Sequence, residues 1–131
     1  HDYEENKGVP ENTKKLNEKI SKYDYLMISV NEHNGGLSAF FKNCMDWLSR
    51  NDRNFLADKK LFILSTSPGQ GAANMANDYA VKVLPRFGAV VASSFCFASF
   101  GDNFTEKDGI TDNAQYDTFK KALDNFLKEI E

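Results

Sequence analysis

The sequence contains little cysteine, no long apolar run and no cluster of positive charge. Its 131 residues include two Cys, three Pro and one Trp, and 16 Lys and Arg stand against 19 Asp and Glu. No apolar run approaches the ~20 residues that a membrane-spanning helix needs. No basic cluster is interleaved with aromatic residues, as nucleic-acid-binding proteins often show. We therefore expect neither a membrane nor a nucleic acid as partner.

The two cysteines carry no signature of a disulfide framework or of a metal site. Cys44 and Cys96 lie among apolar residues and show neither a CxxC motif nor metal-ligand spacing. We interpret them as reduced core residues of a cytoplasmic protein. We expect no metal.

The order of the predicted elements indicates a three-layer α/β fold. With 41% hydrophobic residues and eleven Phe, residues 1–131 are expected to form a single domain. Near-continuous apolar runs predict strands at 25–30, 61–64 and 90–98, each covered on both faces. Strict alternation of helices and strands predicts a parallel sheet between helical layers.

Apolar residues at helical spacing predict four helices. The first opens at Pro10 and runs over 11–22, and the last begins at Asp112 or Asn113 and carries Tyr116 to Ile130. The buried face of the second helix is predicted to hold five residues: Leu37, Phe40, Phe41, Cys44 and Leu48. The third helix carries a row spaced by four, which Pro85 should kink or end early: Met75, Tyr79, Val83 and Phe87. Residues 99–113 predict an ordered surface loop.

Two polar loops follow predicted strands and are the candidate ligand-binding segments. Asn31–Gly36 follows the first strand, and Ser67–Gly71 follows the second. Glycine allows close approach or positive φ, so Gly35 and Gly36 suit a flat ligand above the strand ends. Composition alone favours ordinary strand-to-helix turns for both loops. The second loop lacks the GK[ST] ending of a P-loop, which argues against nucleotide triphosphates.

The segment 31–50, NEHNGGLSAFFKNCMDWLSR, resembles the loop-helix signature of the NADPH-dependent FMN reductases, roughly PEYNGS…LKNAIDWLSR. Ten residues stand at the matching places: Glu32, Asn34, Gly35, Lys42, Asn43, Asp46, Trp47, Leu48, Ser49 and Arg50. Asn31 and His33 depart from the Pro and Tyr of that pattern. Ser65–Gly71 resembles the second flavin-side loop of the same family.

The resemblance implies a flavodoxin-like oxidoreductase that takes hydride from NADPH or NADH onto FMN. Its electrons would pass to a quinone, an azo compound, a metal oxyanion or free flavin, and the protein would be a homodimer or homotetramer. The implied FMN-binding residues come from both loops: Asn31, Glu32, His33, Asn34, Gly35, Ser67, Pro68, Gly69, Gln70 and Gly71. No side chain is expected to be an obligatory acid or base, because the cofactor carries the chemistry.

The resemblance also implies that part of the domain lies outside residues 1–131. The predicted strands correspond to the third, fourth and fifth of a flavodoxin-like sheet. The first strand, the first helix and most of the second strand would be missing, which leaves about three quarters of the domain and an upstream unit of roughly 40 to 50 residues elsewhere. That unit, clipped or on a separate chain, would carry a Gly-Ser-x-Arg type phosphate loop. A chain that opens on His1 fits this expectation.

Other functions remain open from the residues alone. A flavodoxin-like fragment without flavin, retained for dimerisation or binding, is the main alternative. A one-electron flavodoxin carrier is disfavoured because neither loop carries flanking aromatic residues. A hydrolase is disfavoured because Ser65, Ser67 and His33 come with no G-x-S-x-G nucleophile elbow. Lys42 and Asp46 could be an ordinary exposed ion pair, and Trp47 could be core or an interface anchor.

Overall fold

The computed structural model describes residues 2–131, with side chains from residue 5 onward. The elements in chain order are α1 Asp2–Lys7, α2 Glu11–Ser21, β1 Tyr25–Val30, β2 Glu32–His33, β3 Gly36–Leu37, α3 Ala39–Asn51, β4 Lys60–Thr66, α4 Asn74–Val83, a 3₁₀ turn Leu84–Phe87, β5 Val90–Phe97, α5 Phe100–Asn103, β6 Phe104–Thr105, β7 Gly109–Ile110 and α6 Asn113–Leu127. Within this described part, no helix is long and apolar enough to cross a membrane.

A parallel sheet with the order β1-β4-β5 forms the middle layer, as predicted. Tyr25 lies opposite Lys60 and Val30 opposite Ser65, so β1 and β4 run in step along their whole length. β5 pairs with β4 in the same direction, with one irregularity between Leu61 and Phe62. The carboxyl ends of all three strands therefore meet at one edge.

Each face of the sheet has its own hydrophobic core, which completes the three layers. Alternate residues of a strand point to opposite faces. On one face Leu61 and Ile63 pack with the helical residues Met45, Leu48 and Ala80. On the other face an aromatic cluster joins β4 and β5 to α6, and its buried members are Phe62, Phe95, Phe97 and Phe126. The predicted flavodoxin-like sandwich is thus confirmed.

Strand β1 does not have the two covered faces that its apolar sequence predicts. It pairs with β4 alone, and its exposure alternates along the strand. Met27 is 57% exposed, and Tyr25 is also exposed although its ring meets Phe126 edge-on at 6.3 Å. The prediction was wrong because apolar character does not show which neighbours cover a strand, and α6 lies over β4 and β5 rather than over β1.

Helix α3 buries most of the predicted face, with Phe40 as the exception: Leu48 is buried, and Leu37 and Phe41 pack against the core. Phe40 is 79% exposed, and the buried residues of the helix are Met45 and Leu48. Leu37 belongs to β3 because the helix begins only after Ser38, whose hydroxyl accepts a hydrogen bond from the N–H of Phe41 at 3.2 Å. The predicted row started too early, in residues that form a hairpin.

Helix α4 ends one turn early, as the position of Pro85 predicts. It stops at Val83 and tightens into the 3₁₀ turn, which Gly88 closes with φ +97°. The row spaced by four is buried only in its second half: Met75 is 59% exposed and Tyr79 is exposed as well, whereas Val83 and Phe87 pack against the core. The buried residues are small or polar ones that a hydrophobicity pattern passes over, Ala76, Asn77 and Ala80.

The last helix and the connection before it follow the prediction in outline. Asp112 caps α6, since its carboxylate accepts a hydrogen bond from the N–H of Gln115 at 2.8 Å. The preceding segment is ordered and contains α5 and the small β6–β7 hairpin rather than an unstructured loop. Gln115 reaches back to β5, where its side-chain oxygen accepts from the N–H of Ala98 at 2.8 Å.

Candidate functional site

Three loops meet at the carboxyl edge of the sheet. One follows β1 at Asn31, one follows β4 at Ser67, and one follows β5 at Ala98. Because the three strands are parallel neighbours, their loops emerge side by side. Open α/β sheets bind ligands at this edge. The two loops that the sequence singles out are therefore adjacent, and a third loop, which the sequence analysis did not assign to the site, joins them.

The first loop is a small β-hairpin. β2 and β3 pair antiparallel, with His33 opposite Gly36, and Asn34 and Gly35 form the two-residue turn. Their φ angles are +51° and +77°, the pair of positive angles that defines a type I′ turn. Gly35 adopts the positive φ that glycine allows, and Gly36 does not. The Asn34-Gly35 dipeptide is the sequence signal that could have predicted this hairpin.

The hairpin side chains point to different surroundings. The exposed Asn31 and His33 lie together, with 3.3 Å between Nδ2 of Asn31 and Nε2 of His33. Glu32 turns toward α4, where its Oε2 accepts a hydrogen bond from the N–H of Ala76 at 3.1 Å. The candidate residues of this loop thus divide into an exposed rim and a carboxylate that contacts the neighbouring helix.

The second loop is fixed to the third by backbone hydrogen bonds. Ser67 accepts from the N–H of Phe100 at 3.1 Å, and Gly69 accepts from the N–H of Ser99 at 3.0 Å. The Ser67 hydroxyl also donates to the carbonyl of Gly69 at 3.1 Å. Ser99 has φ +50°, so the third loop turns sharply where it meets the second. Pro68–Gly71 is consequently exposed yet held in place from one side.

A buried polar network holds the second loop from below. The Ser65 hydroxyl donates to the carbonyl of Ala72 at 2.8 Å, and the Asn77 side-chain NH₂ donates to Ser65 Oγ at 3.3 Å. Ser65 and Asn77 are 3% and 1% exposed. Ala72 and Ala73 both have positive φ, a conformation that costs roughly 1–2 kcal/mol per non-glycine residue. Asn77 had no sequence signal, because a polar residue inside a helix usually faces solvent.

The edge presents a set of open backbone donors. At this edge, the N–H groups of five loop residues have no acceptor within the described part of the chain: Asn34, Gly35, Gly69, Gln70 and Gly71. Four of these residues are exposed and Gly35 is half-buried. Unpaired N–H groups on a rigid strand-end loop suit the carbonyl oxygens and ring nitrogens of a flat heterocycle, such as the pyrimidine edge of an isoalloxazine. The residues therefore fit the ring end of FMN.

An open concavity of about 540 Å³ adjoins the hairpin. Gly35 and Leu37 form one side, and the exposed α4 residues Met75 and Tyr79 form the other, with Lys82 at the rim. Its lining explains why Met75 and Tyr79 are exposed, since they cover the site side of α4 rather than the core. The wall is apolar, and charged side chains of both signs, Lys42, Asp78 and Lys82, also line the concavity.

The rest of the matching segment lies on α3, and only Lys42 of it also lines the concavity. Lys42 Nζ contacts both carboxylate oxygens of Asp46, at 2.6 and 2.8 Å. Both side chains are about half exposed, so the pair contributes little, as expected for a surface ion pair. Trp47 is half-buried and lies next to Phe40 and Pro10 along a surface groove.

The layers, the parallel sheet and the ligand-binding edge define a flavodoxin-like α/β protein. The model of the NADPH-dependent FMN reductase family matches residues 1–102, which contain both candidate loops. The chain belongs to this family and is thus related to flavin-dependent oxidoreductases that use NAD(P)H.

One solved structure shares the fold over most of the chain. It is FerB, a flavoenzyme NAD(P)H:(acceptor) oxidoreductase from Paracoccus denitrificans, with a TM-score of 0.76 and 23% sequence identity. The similarity covers 92% of this chain and 68% of that chain. Comparison with curated proteins gave no match.

Proposed function

We propose that the protein is an FMN-dependent NAD(P)H oxidoreductase. It would transfer hydride through FMN to a quinone, an azo compound, a metal oxyanion or free flavin. The observation that carries the proposal is the family match over residues that form one continuous edge, where five loop N–H groups are open. FMN supplies the hydride chemistry when it is bound, and the protein binds and orients it.

The ring of FMN would lie between the hairpin and the second loop. Asn34, Gly35 and Gly69–Gly71 offer backbone donors, and Ser67 and Pro68 border them. Asn31 and His33 form the exposed rim, and Glu32 lies behind the hairpin. The adjoining concavity gives a small acceptor an apolar wall of Met75 and Tyr79.

The phosphate end of FMN has no comparable place among these loops. The N-terminus of α4, the helix end beside the second loop, already receives the Glu32 carboxylate at Ala76. A second anion there would be repelled. We infer that phosphate-binding groups come from outside residues 1–131.

The edge of β1 supports the same inference about domain organisation. Tyr25 and Met27 are exposed on a strand with one partner. An unpaired, apolar edge strand promotes association. We infer that residues 1–131 form the C-terminal part of one flavodoxin-like domain, roughly three quarters of it. A further strand and helix, on the same or a separate chain, would cover β1.

Assembly and location are inferred from surface and thiol chemistry. Phe40 is 79% exposed and lies with Trp47 along one groove on α3. We infer that this face joins copies of the protein into a homodimer or homotetramer. The unpaired Cys44 and Cys96 fit a cytoplasmic location.

A flavin-free binding module is the second candidate. The Glu32 carboxylate at the α4 N-terminus and the absence of a phosphate-loop motif favour it. Such a module would keep the sheet edge for another ligand or for assembly, and it would show no NAD(P)H oxidation.

The two candidates are separated by flavin binding and turnover. The chain is titrated with FMN while flavin fluorescence is followed, and NADPH oxidation is then measured with a quinone acceptor. The reductase proposal predicts saturable quenching and oxidation above that of free FMN without protein. A parallel titration uses the chain joined to an upstream strand-helix-strand segment. Failure to bind in both forms contradicts the proposal.

His33 should be dispensable for turnover. Its ring is exposed and forms a hydrogen bond only with Asn31 within the described part of the chain, so it is not oriented as an acid or base. In the FMN-loaded protein, His33→Ala should fall well short of the ~100-fold loss that removal of a general acid or base causes. Asn31→Ala is the matched control. A loss of that size with FMN still bound would overturn the assignment.

A further inference from the structure

Helix α4 begins without a cap of its own. Its N-cap residue, Ala73, has φ +55° and no side chain that could accept a hydrogen bond, and the first turn contains no acidic residue. The first N–H groups of a helix have no partner within the helix and need acceptors from elsewhere. Ala76, the third residue of α4, is fully buried, so water does not supply one readily.

The missing acceptor comes from the hairpin. Oε2 of Glu32 lies 3.1 Å from the N of Ala76, across 44 positions of sequence. This is the N–H that a Ser or Asp at the N-cap would normally bind. The negative carboxylate also lies at the positive end of the helix dipole, which strengthens the contact.

A second contact joins the hairpin to the same turn of α4. A Cβ on Gly35 would lie 3.4 Å from Cε and 3.5 Å from Sδ of Met75, so the turn packs directly against that side chain. Glu32, at the start of the hairpin, and Gly35, in its turn, thus both contact α4. The other side of the helix start is fixed to the second loop through Asn77 and Ser65.

We propose that Glu32 is a positioning residue, which caps α4 and thereby sets the hairpin turn relative to Pro68–Gly71. Its carboxylate is committed to Ala76 and acts on FMN through the placement of the Asn34 and Gly35 N–H groups. The assignment rests on the proposed function, and it deepens that function by separating Glu32 from the residues that would contact the ring.

Two substitutions test the assignment. Glu32→Ala removes the acceptor, whereas Glu32→Gln keeps a neutral oxygen that can accept from Ala76. In the flavin-free protein, residue-resolved hydrogen exchange should show the Ala76 amide exchanging about tenfold faster in E32A, as expected for a lost N-cap. The FMN dissociation constant should rise by a similar factor, about tenfold. E32Q should restore most of both.

Glu18→Ala is the matched control. Glu18 lies on α2 and pairs with Lys22 at 3.3 Å, so E18A also removes a paired carboxylate, away from the carboxyl edge. It should change neither Ala76 exchange nor FMN affinity.

Each remaining result has one consequence. Unchanged Ala76 exchange in E32A overturns the capping contact, and FMN affinity in E32A equal to wild type overturns the positioning role. If E32Q restores Ala76 exchange but loses as much FMN affinity as E32A, the carboxylate acts on FMN directly and the positioning role is overturned. If the wild-type chain binds no FMN either alone or joined to the upstream segment, the proposed function fails together with the flavin part of the assignment, and Ala76 exchange still decides the cap.

Discussion

At the scale of single residues, the shape of the second loop depends on two buried polar side chains. The Ser65 hydroxyl donates to the carbonyl of Ala72 and accepts from the side chain of Asn77, and the next residue, Ala73, has the same left-handed conformation as Ala72. Backbone strain at a binding edge persists only when the surroundings determine it. The network therefore stabilises a conformation of Pro68–Gly71 that would be unfavourable without these hydrogen bonds.

Removing the Ser65 hydroxyl should destabilise the protein. Ser65→Ala leaves the buried carbonyl of Ala72 without its donor and the Asn77 NH₂ without its acceptor. We expect the free energy of unfolding, measured by urea denaturation, to fall by ~1–3 kcal/mol. Ser49→Ala is the control, because its hydroxyl donates to the carbonyl of Asp46 on a surface helix and its loss should change stability by less than ~0.5 kcal/mol. Equal values for the two variants would contradict the role of the network.

Sequence reasoning found the exposed residues of the edge better than the buried ones. Gly35 and Gly69 were recognisable because glycine in a strand-end loop marks special backbone geometry. Ser65 was visible only as part of a loop, and Asn77 gave no signal. The role of Glu32 depends on a contact with Ala76, 44 positions away. Local sequence patterns do not predict contacts between residues so far apart in the chain.

At the scale of elements, the hairpin is the part of the site that the structure adds. It replaces a predicted loop by two short strands and a type I′ turn, and it leads directly into α3 through the Ser38 cap. The turn places the N–H groups of Asn34 and Gly35 at the carboxyl edge of the sheet. Substitution of Gly35 should therefore disturb the geometry of the turn, whereas substitution of Gly36 should not.

Gly35→Ala and Gly36→Ala form a matched pair. Gly35 has φ +77° and packs against Met75, whereas a Cβ on Gly36 would meet nothing closer than the His33 carbonyl at 4.0 Å. We expect G35A to lower the free energy of unfolding by ~1–2 kcal/mol. G36A should lie within ~0.5 kcal/mol of wild type. Equal effects in urea denaturation would contradict the type I′ assignment.

Element types were predictable, and the faces of the helices were not. Pro85 predicted the end of α4 because proline has no backbone N–H to donate. Asp112 predicted the start of α6, which it caps. The predicted faces of α3 and α4 were wrong at Phe40, Met75 and Tyr79, which are apolar yet exposed. Small residues such as Ala76 and Ala80 pack against the sheet instead, where helices must approach closely.

At the scale of the whole molecule, the chain combines a carboxyl edge bordered by three loops with an open sheet edge at β1. Three parallel strands and two cores were predictable from alternation and from apolar runs. The exposure of β1 was not, because Met27 looks identical in sequence whether or not a neighbour covers it. Two features agree: the carboxylate of Glu32 lies at the N-terminus of α4, where it disfavours a phosphate, and the uncovered strand lies at the side where further chain would join.

The central claim is that the hairpin and the second loop bind the ring of FMN. Its most direct test is an amide chemical-shift titration of the ¹⁵N-labelled chain with FMN and, in parallel, with riboflavin, which lacks the phosphate. We predict saturable shifts concentrated at five amides for both ligands: Asn34, Gly35, Gly69, Gln70 and Gly71. Shifts confined to other parts of the chain, or none with either ligand, would contradict the account.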